Sequence, residues 1–321
     1  MSKICIILVY FGPLPEWFNL WLLSCFYNST ISFLVVTDQQ VVIPKQYENV
    51  HVLPMTISQM KELADRKLGM NTALIYPYKC CDLKPAYGVI FEDYLHEYDF
   101  WGHCDCDLIF GDLRKYFTND RLRDYDRVFG QGHLSIYRNV SRCNHFFELS
   151  PVYEEIFCTA KNFGFDENLV NTSIGRILRK NQIPVLYARE FADIGTAHKR
   201  FLCATDKNFK RQVFYWNCGR VYRDYENSYF NIRERDEFAY IHFQKRKLKN
   251  FIHGIDLPRI KFFVISYKGF FQINNDSFDD LIAKYNPYPG DFYEQMEQLQ
   301  WNMKHPRLRM LRKIYHNITG K

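Results

Sequence analysis

The chain has no Gly/Ser-rich linker, no low-complexity tract and no internal repeat. A string of loosely tethered modules and a solenoid are thereby excluded, and 321 residues with 47% hydrophobic and 17% aromatic content can bury one large core or a core and a half. A long hydrophobic run is also missing. Residues 4–11 are eight apolar positions in a row. That is too short for a membrane span or the usual core of a signal peptide, and no small-residue cleavage site follows. The stretch is expected to be the first strand of a cytoplasmic protein.

Neither a Walker pattern nor a Gly-x-Gly-x-x-Gly stands beside that strand, so phosphate is not expected to be held by a glycine cradle. Ten cysteines without an export signal point to a reducing compartment, where the triplets at Asn28, Asn139, Asn171 and Asn317 carry no glycan. No Cys-x2-Cys pair repeats. Zinc on Cys80, Cys81, His103, Cys104 and Cys106 is one reading. Core packing is the better one, because Cys104 and Cys106 on a strand would face away from Asp105 and Asp107.

Basic charge is scarce outside the C-terminus. Residues 304–321 carry six Lys/Arg and no acid, and the rest of the chain, with 36 groups of each sign, is neutral. Residues 1–110 hold 7 basic and 12 acidic groups. A general nucleic-acid surface is therefore excluded. After Pro306, Leu308, Leu311, Tyr315 and Ile318 recur at helical spacing with Arg309, Arg312 and Lys313 on the flanking faces. Such a helix would suit peripheral contact with an anionic membrane, or packing on the body of the protein with its charges in water.

Runs of β-formers fall at 4–9, 31–37, 50–53 and 100–104. Helical patterns fall at 16–25, at 58–67 with Gly69 as its stop, and from Pro85 to about 96 with Lys84 just outside. Strands separated by helices predict a mainly parallel, Rossmann-like sheet flanked by helices, with its ligand site at the carboxyl ends of the strands. Further strands are expected at 126–129, 133–137, 185–189, 213–216, 238–243 and 261–267, a helix at 168–180, and two helical stretches near the C-terminus.

Asp105 and Asp107 close the apolar run 98–110. One residue apart on an extended chain they point the same way, and two such acids repel unless a cation sits between them. Hard oxygen ligands suit Mg2+ or Mn2+. A pair of acids on a solvated turn is the plainer alternative. A cation at that place could neutralise a diphosphate, and the remaining needs of a nucleoside diphosphate can be met nearby. Tyr10 and Phe11, before Gly12, offer stacking rings or are core aromatics. Asp38 offers a carboxylate for ribose or base, or caps a turn. Lys84 and the cluster Lys245, Arg246, Lys247 offer positive charge. His242, at the end of an apolar strand, offers a third metal ligand or is a core histidine.

Two loops are expected at the sugar and acceptor side. The run Gly130-Gln131-Gly132-His133 permits close backbone approach. Asp166 and Glu167 either cap a helix or supply an acid beside the acceptor.

The Tyr-Phe-Gly of the first strand, Thr37-Asp38, the run Asp82-Leu83-Lys84-Pro85-Ala86-Tyr87-Gly88, the run 100–107 and Ile241-His242-Phe243-Gln244-Lys245 together resemble the GT-A glycosyltransferases. The likeness is strongest to a bacterial group associated with capsule and lipopolysaccharide synthesis, and it covers roughly residues 1–250. It implies a GT-A domain at 1–250 and a C-terminal helical extension with the basic tail at 251–321. It further implies a nucleotide-sugar donor, UDP-linked, a divalent Mn2+ or Mg2+ on Asp105, Asp107 and His242, and a saccharide or lipid-linked saccharide acceptor. A nucleotidyl- or phosphotransferase and a non-catalytic nucleotide- or carbohydrate-binding protein are the alternatives, and the stereochemical outcome stays open.

Overall fold

The computed structural model describes residues 1–168, 170–227, 232–244, 246–252, 257–273 and 276–306. The chain divides into two compact units, Met1–Glu190 and Phe191–Lys321. The boundary expected near residue 250 falls inside the second.

The first unit is built on a seven-stranded sheet whose aliphatic strands follow the β-former runs: β1 Ile4–Tyr10, β2 Ile31–Thr37, β3 Val50–Pro54 and β4 Phe100–Cys104. A short strand, β5 Leu108–Phe110, follows the acidic pair outside this sheet, while β6 Arg127–Val128, β7 Leu134–Arg138 and β8 Val185–Leu186 complete the seven. The order is β3-β2-β1-β4-β7-β6-β8. β1 runs parallel to β2 and β4, and β7 is antiparallel to β4 and β6. The sheet is therefore mixed α/β with a parallel half, as expected.

Both faces of that half are covered. On one, the helix Phe18–Phe26 presents Trp21, fully buried and edge-on to Phe33 and Phe110 at 6.0 and 5.9 Å. A Trp21→Ala change there would cost about 3 to 5 kcal/mol. On the other face, Met60 and Leu63 of the helix Ile57–Leu68 join Ile7, Val36, Leu83, Ile90 and Trp101. That helix starts at a capping box between Thr56 and Gln59 and stops at Gly69, whose φ of +67° ends the right-handed path.

Two helices differ from expectation. The segment after Pro77 is not one helix from Pro85 but a chain of short turns, Pro77–Lys79, Cys80–Leu83, Lys84–Ala86, Tyr87–Ile90 and Glu92–Leu95, with Lys84 inside it. Pro85 lacks an amide donor, so the helical hydrogen-bond ladder is interrupted there although Lys84 keeps right-handed helical angles. The helix expected at 168–180 occupies Ile174–Lys180. Asn168, placed in its first turn by the pattern, instead donates its side-chain amide to the carbonyl of Gly130.

The second unit contains β9 Ala192–Asp193, β10 Gln212–Asn217, β11 Arg220–Asn227, β12 Ile232–Phe238, β13 Tyr240–His242, β14 Lys249–Asn250, β15 Phe262–Ser266 and β16 Gly269–Phe271. Six of them form a second sheet in the order β12-β11-β10-β15-β16-β14. β11 and β12 carry so many charges that they read as loop in the sequence. Cross-strand pairs stabilise them: Arg223 to Asp236 at 2.5 Å and Arg235 to Asp224 at 2.7 Å. Two helices follow, Phe278–Tyr285 and Asp291–Lys304. The tail helix expected after Pro306 lies outside the described residues.

Candidate functional site

In the first unit, parallel register brings the strand ends together. Tyr10 is level with Thr37, and Ile7 is level with His103, so continuing the register sets Tyr10 beside Cys106, between the two acids. Asp105 leaves the sheet at the end of β4, where its amide donates to the carbonyl of His133 at 3.0 Å. Carboxylate oxygens of Asp105 and Asp107 lie within 4.8 Å of each other. Around a metal with oxygen ligands at about 2.1 Å, neighbouring ligands sit about 3 Å apart and opposite ones about 4.2 Å, so one small hard cation fits this pair.

Lys84 joins the strand end to the loop at 164–168. Its ammonium donates to Asp105 Oδ1 at 2.6 Å, to Asp166 Oδ2 at 2.7 Å and to the carbonyl of Gly132 at 2.8 Å. Lys84 is 5% exposed and Asp166 3%. Burial lowers the pKa of such an ammonium, but Asp105 and Asp166 outweigh it and hold the group charged, with its pKa well above the usual value. Burial pushes Asp166 up to about 7, with Glu167 and Asp105 adding to the rise and Lys84 opposing it. Asp105 and Asp166 thus share a single ammonium, and Asp105 stays partly open to solvent beside Asp107.

The two acids singled out for catalysis separate here. Asp166 is buried against Lys84 at 2.7 Å. Glu167 is half-buried, and its carboxylate lies against Gly132, where a Cβ would stand 2.8 Å from it. Gly132 is therefore required for that approach. Neither acid caps the helix, whose cap residue is Ser173.

The other first-unit residues are placed as follows. Tyr10 is half-buried, with its hydroxyl on the carbonyl of Pro13 at 3.3 Å; burial and then the neighbouring Cys106 and Asp107 raise its pKa. Phe11 points into the core at 7% exposure, which leaves Tyr10 as the ring at the strand end. Asp38 is exposed and accepts from the amide of Gly12 at 2.9 Å and from Gln39 at 2.8 Å, bonds that hold its pKa below the usual carboxylate value. It ties the end of β1 to that of β2. His133 is buried beside the acidic pair. His103, one turn of the pleat below Asp105, is kept neutral first by burial and then by Lys84 and Arg127. The thiols of Cys104 and Cys106 are pushed up by burial and stay protonated, and no cysteine joins a metal-capable cluster among the described residues. Both side chains are buried, as packing in the core requires.

In the second unit, β13 and β9 run parallel with His242 level with Asp193. His242 Nδ1 is 2.8 Å from Asp193 Oδ1, which also accepts from Gln244 at 2.8 Å. A carboxylate on Nδ1 fixes the tautomer and leaves Nε2 as the nitrogen that could ligate. Asp193 was not found in the sequence; the only signal was an acid at the end of a two-residue strand. Of the basic cluster, Lys245 lies outside the described residues. Arg246 is committed elsewhere: its guanidinium donates to the carbonyls of Gly195 and His198 at 2.5 and 2.7 Å, so it is a staple rather than a phosphate ligand. No helix among the described residues is long and apolar enough to cross a membrane.

A parallel half-sheet whose carboxyl ends carry a cation-ready acidic pair defines the class of site. The chain belongs to the family of unknown function DUF6625, whose model matches residues 6–274. A search of curated proteins finds no match. Similar solved structures include the galactosyltransferase LgtC in complex with donor and acceptor sugar analogues, 11% identical over 59% of this chain and 75% of that chain, with a TM-score of 0.35. Mouse xyloside xylosyltransferase 1 in its apo form is 8% identical over 60% of this chain and 88% of that chain, TM-score 0.40. The apo glycosyltransferase GlyE of Streptococcus pneumoniae TIGR4 is 16% identical over 58% of this chain and 45% of that chain, TM-score 0.32.

Proposed function

We propose that the protein is a metal-dependent GT-A glycosyltransferase that moves a hexosyl group from a nucleotide sugar, UDP-linked, to a saccharide acceptor in the synthesis of a bacterial surface polysaccharide. The observation that carries this reading is the Lys84 bridge between Asp105 and Asp166 beside Asp107, at the carboxyl end of a parallel sheet. Asp105 and Asp107 would hold Mn2+ or Mg2+ with His242 as the third protein ligand. The cation, when bound, neutralises the charge that develops on the departing diphosphate. Tyr10 stacks on the base and Asp38 meets the ribose. Lys84 fixes the orientation of Asp105 and adds positive charge behind the diphosphate. Lys245 would add a second cation on the phosphates, and His133 lines the donor side. Glu167, the more open of the two loop acids, takes the proton of the acceptor hydroxyl.

The acceptor is a free or lipid-linked saccharide, reached from the cytoplasmic face of the membrane. Support for a peripheral contact comes from the helix Asp291–Lys304, which exposes Phe292, Tyr293, Leu299 and Met303 ahead of the basic run to residue 321. A chain ending at Trp301 should stay folded and lose salt-sensitive binding to anionic vesicles, each basic residue contributing roughly 1 kcal/mol. Unchanged vesicle binding would remove the membrane from the proposal.

The decisive experiment is a thermal-shift panel of nucleotide sugars with and without Mn2+, followed by assay of transfer and hydrolysis with the donors that bind. A donor at about 100 times its Kd should add about 2.7 kcal/mol of stability. A shift from nucleoside triphosphates alone would favour the nucleotidyl- or phosphotransferase, and metal-dependent binding without any turnover would favour a binding protein.

A further inference from the structure

A second buried ion pair lies on the turn that carries Lys84. Lys79 and Asp82 are both fully buried, and Lys79 Nζ donates to Asp82 Oδ2 at 2.8 Å and to the carbonyls of Ile156 and Lys161 at 2.6 and 2.8 Å. All three ammonium protons are thereby placed. Asp82 turns its carboxylate to the loop beyond: the amide of Phe165 donates to Oδ1 at 2.9 Å, and that of Phe163 lies 3.0 Å from Oδ2 and 3.2 Å from Oδ1. Gly164 between them has φ +64°, which lets two amides separated by one residue converge on one carboxylate.

The residue after Phe165 is Asp166. One helical stretch therefore grips this loop twice, by its backbone through Asp82 and by its side chain through Lys84 two residues later. Ring packing of Phe165 on Phe157, with centroids 5.8 Å apart, holds the loop's depth but not the direction of its amides. Charge-assisted hydrogen bonds fix direction. We infer that Asp82, braced by Lys79, is a positioning residue that sets where Asp166 and Glu167 stand, and through them the rate of acceptor deprotonation. The inference rests on the glycosyl-transfer reading for its effect on rate, and on geometry alone for its effect on the loop.

The test compares the full chain with Asp82→Asn and with the double variant Lys79→Met/Asp82→Leu. Replacing both members by apolar side chains removes the buried charges together, so the double variant should stay folded, melting below the parent because the amides and carbonyls the pair satisfied lose their partners. Amide hydrogen exchange at Phe163 and Phe165 should speed up by roughly tenfold or more in both variants, since their acceptor is gone or altered. Turnover should fall roughly 100-fold while the donor KM changes little, because a misplaced acid harms the chemical step and not donor binding. Unchanged exchange at the two amides, or a folded double variant with parental kcat, would overturn the inference. So would the failure of both variants to fold, which would make the pair a general requirement of the fold. A parent with no transfer or hydrolysis would count against the glycosyltransferase instead, and the exchange data would then decide the clamp by themselves.

Discussion

Lys79 and Lys84 are five positions apart on one run of turns, and both are buried against carboxylates, yet their surroundings differ in a way that separates structure from chemistry. Lys79 has one acid, Asp82, and two carbonyls, and both members of the pair are sealed from solvent. Its charge balance is closed. Lys84 has two acids, Asp105 and Asp166, and the first is a third exposed. Its surroundings open toward water. A buried ion pair is weak evidence for function by itself, because breaking it is costly wherever it lies. A perturbed buried pair with an opening to solvent is stronger evidence, because a ligand can reach it.

The most severe way to probe this contrast is to remove each lysine. Lys79→Met should strand a sealed carboxylate and destabilise the protein by about 3 to 5 kcal/mol, measured by denaturant unfolding. Lys84→Met should cost less, because Asp105 can take water and Asp166 can take a proton, and it should abolish turnover in protein that is still folded. Equal losses of stability in the two variants would erase the distinction between them.

Next in size is the acidic pair. Asp105→Asn and Asp107→Ala should lower activity by roughly 1,000-fold, since the cation and its charge stabilisation are lost together; Asp107→Ala should leave the melting temperature nearly unchanged, whereas Asp105→Asn should lower it by weakening the Lys84 pair. Full Mn2+-dependent activity in both would sink the metal assignment.

A smaller effect follows from the raised pKa of Asp166. With its folded value pushed up to about 7 against an unfolded value near 3.8, the protonated acid is favoured by folding. Its contribution is complete below the unfolded pKa and is lost as the pH rises through the folded one. Metal-free protein should therefore lose stability between about pH 4 and pH 7, and Asp166→Asn should flatten that slope. A slope unchanged in the amide variant would assign it to another group. Least of all, Asp193→Asn should weaken Mn2+ roughly tenfold while leaving the fold intact, since it only orients His242. Calorimetric titration of Mn2+ checks this, and an unaltered affinity would leave His242 as a packed residue of β13.

Much of the first unit could be read from the sequence, and for a physical reason. β1, β2, β3 and β4 are buried strands, and buried strands are written as continuous aliphatic runs that no solvated loop would carry. The acidic pair was legible because Asp105 and Asp107 interrupt such a run. β11 and β12 were not, because their charges are neutralised only across the strands, by partners that become neighbours after folding. The role of Asp166 was obscured in the same way. In the chain it looks like the acid of a helix start, and only the contact with Lys84 turns it into an internal counter-ion. Pro85 does stand in a first turn, but the single helix read after it is divided into short turns with Lys84 inside the run.

The three bonds of Lys84 reach across 21, 48 and 82 residues. During synthesis, Lys84 and the acidic pair are therefore on hand long before Asp166 leaves the ribosome. Each longer loop adds its own closure entropy, which rises with the logarithm of its length. The Lys84 cluster is completed by its last-made loop, and a nascent chain halted before residue 166 would carry Asp105 and Asp107 without the counterweight that keeps Lys84 in place.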